Sequence, residues 1–403
     1  MDINTAKQIV IDAGLRLVES GLIARTWGNV SCRIDENSFV ITPSGKAYES
    51  LTPADIVLVN IADLSYDGDV KPSSEKGVHA ACYTLRPDCN FVIHTHQKNA
   101  SAVSTLGYDI NGITGRSKEI IGDCVPVAAY GLPGTGKLMD GVRTAIASCD
   151  SKAVIMKHHG AVCLGSDYDE AFKVAGELET VCMKFIMTRY RDMTASAGEG
   201  FRSVAEYINE RTKIKKTLPT FEHFDSERIG DIVRMTSRVN GRDITLNLAA
   251  DEPCKLEDYT ASADLHKAVY EQRKDVNAII HSDSETITEM SKSGRSFKPL
   301  LDDFAQLVGI SLRTADFDPN YTVKGCKKTV KALKGRNACL LKDNGALCVA
   351  GDKSDAEAVE MVLEKNLNTQ ATHEMFGKKG GYIGLADSAI MRVVYKLKYS
   401  KQK

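Results

Sequence analysis

The stretch FVIHTHQ (91–97) places His94 and His96 two residues apart inside an apolar run. In a β-strand, residues i and i+2 point to the same side. Two imidazoles on one strand face suit either a metal ion or a partly buried face of hydrogen-bonded histidines. Other chemistry-bearing stretches cluster within residues 26–160. TWGNVSCR (26–33) and TPSGK (42–46) carry Asn29, Ser44 and Gly45, and KPSSEKGVH (71–79) carries Ser73, Ser74 and Glu75. KHHG (157–160) adds His158 and His159. Glycine, serine, threonine and asparagine in loops offer N–H groups and hydroxyls that suit a phosphate. A glutamate beside two serines offers a general acid or base. Three imidazoles with one open position make a catalytic rather than a structural metal site.

Elements of two kinds must position these groups. FVIT, IVLVN, FVIH and AVIMKHHGAVCLG read as strands, so His158 and His159, as neighbours in one strand, point to opposite faces. Residues 169–187 have apolar residues at helical spacing, with Asp167 or Asp169 able to cap the start. The N-terminal segment also reads as a helix, with Ile9, Val10, Ala13, Leu15 and Leu17 among polar positions.

A chain of 403 residues is too long for one ordinary core. Hydrophobic content of 43% and charged content of 26% fit a water-soluble globular protein. A net charge of −1 implies no nucleic-acid surface. The basic run RTKIKK (211–216) reads as a solvated helix face. No stretch is long and apolar enough to span a membrane, and the N-terminus has no secretory pattern. Eleven scattered cysteines without a C-x-x-C pair predict reduced thiols in a cytoplasmic protein.

The chain repeats itself. KGVHAACYTLRPDCNFVIHTH (76–96) aligns without a gap to ADLHKAVYEQRKDVNAIIHSD (263–283). AVIMKHHGAVCLGSDYDEAF (153–172) aligns to ACLLKDNGALCVAGDKSDAEA (338–358), with an offset of one residue at the end. Two copies of one domain follow, at 1–200 and 226–403, with a linker at 201–225: TASAGEG (194–200) is expected to break the preceding helix, and KTLPTFEHFD (216–225) carries a proline. Each copy reads as one sheet covered by helices, an α/β layer fold. In the second copy Ser262 stands for Glu75, His281 for His94, Asp283 for His96 and Asn344 for His159. That copy is expected to keep the fold without a full metal site.

The order of these loops, including YGLPGTGKL (130–138), resembles the class II aldolase/adducin family from about Ala6 to Met187. The resemblance implies an α/β/α fold in each copy, with a mostly antiparallel central sheet and helices on both faces. It assigns His94, His96 and His159 as ligands of Zn²⁺ or another divalent metal such as Mn²⁺, Co²⁺ or Fe²⁺. The family's Asn-His-Gly pattern selects His159 over His158. Glu75 matches the catalytic acid/base, and Asn29, Ser44, Gly45, Ser73 and Ser74 match the phosphate cradle. The implied reaction cleaves a phosphorylated ketose to dihydroxyacetone phosphate and an aldehyde through a metal-stabilised enediolate. Family epimerases typically carry Asp where Glu75 stands, which favours an aldolase. The alternatives are a sugar-phosphate 4-epimerase or dehydratase on the same site, or an adducin-like assembly protein without catalysis. A tyrosine that serves fuculose-phosphate aldolases as proton donor falls near Gly115 here, with Tyr108 nearby but displaced. Related aldolases are rings of four, so two tandem chains would close a four-domain homo-oligomeric ring.

Several residues have plainer readings. GLPGTGKL resembles a phosphate-binding P-loop, but Leu138 stands where that loop needs Ser or Thr. Trp27 reads as packing, and Lys46 as either a phosphate contact or a solvated side chain. His79 and His266 recur at matching positions and read as structural. His223 and His373 read as surface residues, and Cys163 and Cys348 as core.

Overall fold

The first sheet grows out of an N-terminal helix. Asp2 caps α1 (Ile3–Glu19) by accepting a hydrogen bond from the Thr5 amide at 2.9 Å, and Ala6, Val10, Ala13 and Leu17 form its buried stripe. The computed structural model describes residues 1–23, 27–197, 209, 217–250, 255, 258 and 260–399. The basic run 211–216 and most of the expected linker lie outside them.

After α1 come β1 (Asn29–Arg33), β2 (Ser38–Ile41), β3 (Val57–Asn60), α2 (Lys76–Leu85), β4 (Phe91–Thr95) and α3 (Lys98–Ser104). A two-stranded ribbon of β5 (Ile110–Asn111) and β6 (Cys124–Val125) flanks α4 (Gly115–Ile121). Then follow β7 (Val127–Ala128), α5 (Gly136–Ser148), β8 (Ala153–Met156), β9 (Gly160–Gly165) and α6 (Tyr168–Ala197). The main sheet has the order β3-β2-β1-β4-β9-β8-β7, antiparallel throughout except for β7 beside β8.

Strand alternation sends side chains to two separate cores. Phe39, Ile41, Val92 and Val162 join Val78 and Cys82 of α2 and Val142 of α5. Val30, Val40, Phe91 and Ile93 join α1 and the start of α6. Helices therefore cover both faces, as the alternating apolar pattern requires.

The second copy repeats the plan. Its strands are β10 (Phe224–Ile229), β11 (Ile232–Ser237), β12 (Asp243–Asn247), β13 (Ala278–Ser282), β14 (Thr314–Ala315), β15 (Ala338–Leu341) and β16 (Ala346–Ala350). Their order, β12-β11-β10-β13-β16-β15-β14, is that of the first sheet, again with one parallel pair at the end. Among its helices are α7 (Ala261–Gln272), α8 (Glu285–Lys292), α9 (Asp302–Leu307), α10 (Thr322–Leu333), α11 (Lys353–Met375) and α12 (Leu385–Val394). The two compact units are centred on Met1–Gly198 and Glu199–Ala371, with Thr372–Tyr382 belonging to the first.

Four expectations need correction. AVIMKHHGAVCLG is a hairpin, not one strand: β8 and β9 pair antiparallel across a turn at 157–159. α6 continues through Ala197, ten residues beyond its expected end at 187. Cys124 and Cys149 are joined as a disulfide, so the thiols are not all reduced. Cys124 opens β6 and Cys149 caps α5, and the strand–helix return between them brings their ends together without a short sequence spacing. His373 is buried, not on the surface; its ring meets Tyr382 edge-on at 5.2 Å between centroids.

His79 on α2 and His266 on α7 are fully buried, and burial pushes each imidazole down to about 3. Each therefore stays neutral in the folded chain while its unfolded counterpart binds a proton below about 6.5. The unfolded state gains protons first, so stability is complete above that pH and is lost as pH falls. We predict that the metal-free chain loses up to ~1.4 kcal/mol per pH unit for each of these histidines between pH 6.5 and 5. Denaturant unfolding across that range checks this, and a flat stability profile refutes it.

Candidate functional site

The site forms where the end of β4 meets the start of α2. On β1, Asn29 and Ser31 share the face that looks toward α2, and Asn29 stands opposite His94 in the β1–β4 register. His94 occupies the same face of β4, and His96 follows just past the strand end, its amide held by the Leu22 carbonyl at 3.1 Å. His159 arrives from the β8–β9 turn. That turn can come close because of Gly160, where a Cβ would lie 2.2 Å from the Thr95 carbonyl oxygen and 3.1 Å from His94 Cε1.

His94, His96 and His159 are all buried, and one ring nitrogen of each lies within 4.8 Å of the others. His94 Nδ1 is 2.9 Å from the Ala161 carbonyl, which only accepts, so that nitrogen carries the proton. Its Nε2 then faces the site and lies 2.9 Å from His96 Nε2. Glu75 closes the group, with Oε2 3.2 Å from His94 Nε2 and Oε1 2.9 Å from His159 Nε2. Burial pushes the Glu75 carboxyl up, but the His94 and His159 imidazoles and hydrogen bonds from His159 and Asn29 outweigh it and hold it well below its ordinary value. A carboxylate and three imidazoles that converge this closely could hold a cation among them. Three imidazole ligands with a carboxylate alongside fit a divalent metal such as zinc.

Glu75 is the N-cap of α2, yet its side chain makes no capping bond and turns to the histidines instead. Its amide hydrogen is taken by Ser73 Oγ at 3.3 Å, and Asn29 Nδ2 donates to its Oε2 at 3.0 Å. The remaining cradle residues lie on two adjoining loops. The Ser44 amide donates to the Lys71 carbonyl at 2.9 Å and the Ser73 amide to the Thr42 carbonyl at 3.0 Å. Gly45 has φ +77°, and Ser74 lies against Gly134 of the 130–138 loop. Lys46 is held by Asp55. His158 is not among the converging histidines; it has φ +60° in the turn, and its ring packs edge-on to Tyr130 at 5.5 Å. Its separation from His159 therefore comes from the turn rather than from strand alternation. Gly115 opens α4 with φ +60° and brings no side chain.

The second copy shows how the same frame closes. By strand register Phe224 replaces Asn29 and His223 replaces Gly28. The His223 ring stacks on His281 at 3.8 Å, and Phe221 packs on the same ring at 5.5 Å. His223 is therefore mostly enclosed, not a surface residue. At Gly28 the chain has φ +129°, and a Cβ would stand 2.8 Å from the His94 carbonyl oxygen. His281 is turned over relative to His94: its Nε2, not Nδ1, meets the hairpin carbonyl, that of Asn344, at 2.8 Å. Asn344 Nδ2 donates to Pro219 O at 3.0 Å, which ties the 217–223 segment into the space.

The family profile described as "Class II Aldolase and Adducin N-terminal domain" matches residues 8–186 and again 213–371. The chain belongs to the class II aldolase and adducin family. It does so as a tandem repeat, with the fold of the family in each half. An L-fuculose phosphate aldolase of Escherichia coli (strain K12) is 34% identical over 188 residues, covering 47% of this chain and 86% of the relative. A 5-methylthioribulose-1-phosphate/5-deoxyribulose-1-phosphate aldolase of Escherichia coli O45:K1 is 38% identical over 167 residues, 41% of this chain and 76% of the relative. An L-ribulose-5-phosphate 4-epimerase of Salmonella paratyphi A is 29% identical over 224 residues, 53% of this chain and 95% of the relative. A solved L-fuculose 1-phosphate aldolase is 28% identical with a TM-score of 0.43, covering 46% of this chain and 87% of that one. No helix among the described residues is long and apolar enough to cross a membrane.

Sequence reasoning overlooks Gly28 and Gly160, which clear the space, and the Ala161 carbonyl, which sets the His94 tautomer. Backbone carbonyls leave no mark in a sequence; Gly160 is visible there only as the residue after KHH.

We predict one divalent ion per chain, held by the first copy. His96→Ala is expected to abolish binding, because two imidazoles make a poor zinc site. His281→Ala is expected to leave the metal content unchanged. Elemental analysis of both variants checks this, and full metal in His96→Ala refutes the ligand set.

Proposed function

We propose that the first copy is a metal-dependent aldehyde-lyase acting on a phosphorylated ketose. The carrying observation is Glu75, buried and held between His94 and His159. His94, His96 and His159 would hold a divalent metal, zinc or Mn²⁺, Co²⁺ or Fe²⁺, which supplies Lewis acidity at the ketose oxygens. The Ser44–Gly45 and Ser73–Ser74 loops bind the phosphate and fix the substrate against Glu75.

In the condensation direction, the Glu75 carboxylate takes a proton from the hydroxymethyl carbon of dihydroxyacetone phosphate. The C–H electron pair moves toward the carbonyl and leaves an enediolate. That carbon bonds to the aldehyde carbon, whose oxygen takes a proton from water, while Glu75 releases the proton it took to solvent. Cleavage runs these steps in reverse, and Glu75 returns its proton to carbon. A carboxylate held ionised and in a fixed orientation suits the proton-accepting step. A glutamate rather than an aspartate at this position favours cleavage over epimerisation. The second copy is inactive in this reading, because Ser262, Asp283 and Asn344 stand where the carboxylate and two of the imidazoles would be, and His223 and Phe221 pack on the remaining His281 ring.

We predict that Glu75→Gln keeps the metal and lowers kcat by roughly 10²–10⁴. A screen of phosphorylated ketoses, read by released dihydroxyacetone phosphate, provides the assay. Near-normal turnover in Glu75→Gln would assign the base elsewhere, and no release from any ketose would remove the aldolase reading.

A further inference from the structure

A buried chain of hydrogen bonds runs from the interior of the first copy to Glu75. Tyr83 OH lies 2.6 Å from Ser31 Oγ, and Ser31 Oγ lies 2.6 Å from His79 Nδ1. His79 Nε2 meets Asn29 Oδ1, and Asn29 Nδ2 donates to Glu75 Oε2 at 3.0 Å. All five residues are buried.

The protons in this chain can be assigned from one end. A carboxylate only accepts, so the Asn29 NH₂ must face it. Asn29 Oδ1 then faces His79, and His79 Nε2 must carry the hydrogen. His79 Nδ1 is left as an acceptor and takes the Ser31 hydroxyl hydrogen. Ser31 Oγ accepts in turn from Tyr83. If Asn29 rotated by half a turn, its oxygen would face the carboxylate and its NH₂ would face an N–H. The carboxylate, which only accepts, opposes that orientation, and His79 Nε2–H, with Nδ1 taken by the Ser31 hydroxyl, opposes it from the other side.

The second copy supplies an internal control. Tyr270, Ser226 and His266 form the same inner triad, at 2.8 Å and 2.7 Å. There the chain stops. Phe224 occupies the Asn29 position and Ser262 the Glu75 position, with Ser262 Oγ donating to the Glu222 carbonyl at 2.6 Å. His266 Nε2 has no hydrogen-bond partner among the described residues. The inner triad therefore belongs to the fold, since it persists without the site. Only its outward arm, His79 to Asn29 to Glu75, is peculiar to the copy that keeps the carboxylate.

We infer that His79 is a positioning residue: it fixes the Asn29 amide so that its NH₂ holds Glu75 in the orientation in which it exchanges a proton with substrate carbon. This rests on the proposed role of Glu75.

The test uses the metal-loaded full chain and follows exchange of solvent deuterium into dihydroxyacetone phosphate, which reports the proton step without any aldehyde. His79→Phe keeps the shape and removes the donor. It is expected to lower the exchange kcat by about tenfold to a hundredfold, the usual cost of losing an outer hydrogen-bond partner. KM and metal content are expected to stay within about twofold, because the ligands and phosphate loops are untouched. His79→Gln, which can still present an N–H toward Asn29, is expected to recover part of the loss. His266→Phe, the same change in the second copy, is expected to leave kcat unaltered. Normal kcat in His79→Phe, a loss confined to KM or metal, or an equal loss in His266→Phe would each overturn the inference. If His79→Phe does not fold, Ser31→Ala loosens His79 and is expected to lower kcat in the same sense; an unchanged kcat there counts against it. Absence of exchange in the unsubstituted chain would instead refute the proposed function. The positioning would then be read in the metal-free protein from the Asn29 side-chain amide proton signals. They are expected to shift in His79→Phe, and identical signals would overturn the inference.

Discussion

At the end of β4 the Thr95 carbonyl lies so close to Gly160 that no side chain fits between them. This contact brings the β8–β9 turn against the strand that carries His94. It puts His159 beside His94 with the rings nearly parallel, 5.0 Å between centroids. Once the turn is there, the Ala161 carbonyl reaches His94 Nδ1 and turns the other nitrogen into the site. The sheet register supplies Asn29 opposite His94, and the start of α2 supplies Glu75. The groups are thus delivered by four elements, β1, the end of β4, the β8–β9 turn and the start of α2, and their convergence depends on one close backbone approach. A site assembled on strand ends and a helix start is held more firmly than one carried by loops alone.

The two copies separate what the fold requires from what the chemistry requires. Both keep the strand order, the buried Ser–His–Tyr triad, and a non-glycine residue at positive φ in the turn, His158 at +60° and Asp343 at +64°. Those features therefore serve the architecture. The first copy alone combines a carboxylate at the start of α2, an amide on β1 and a glycine beside His94. In the second, burial and the nearby His223 hold the His281 imidazole well below its ordinary value. It has become a neutral packing group with its Nε2 on a carbonyl.

Much of this is legible in the amino-acid sequence alone. The H-x-H spacing puts two imidazoles on one face, and the repeat is plain from His79 and His266, Arg86 and Arg273, His94 and His281. The α/β layers follow from alternating and helical apolar patterns. What cannot be read there is set by distance along the chain. Nothing near Cys124 points to Cys149, and nothing near Asn29 points to Glu75 or His79. The KHHG turn reads as strand because its flanks are apolar and β-branched, while the positive φ that breaks it falls on a histidine. His223 and His373 read as surface residues because a lone histidine carries no periodic signal of burial.

The packing of His223 and Phe221 over His281 bears on how the second half can change in descent. Returning imidazoles to positions 283 and 344 and a carboxylate to 262 would not by itself recover a working centre, because the room is filled. Emptying it would first leave a hole among large rings, and such holes cost stability. Each backward step is thus penalised before any activity exists to reward it.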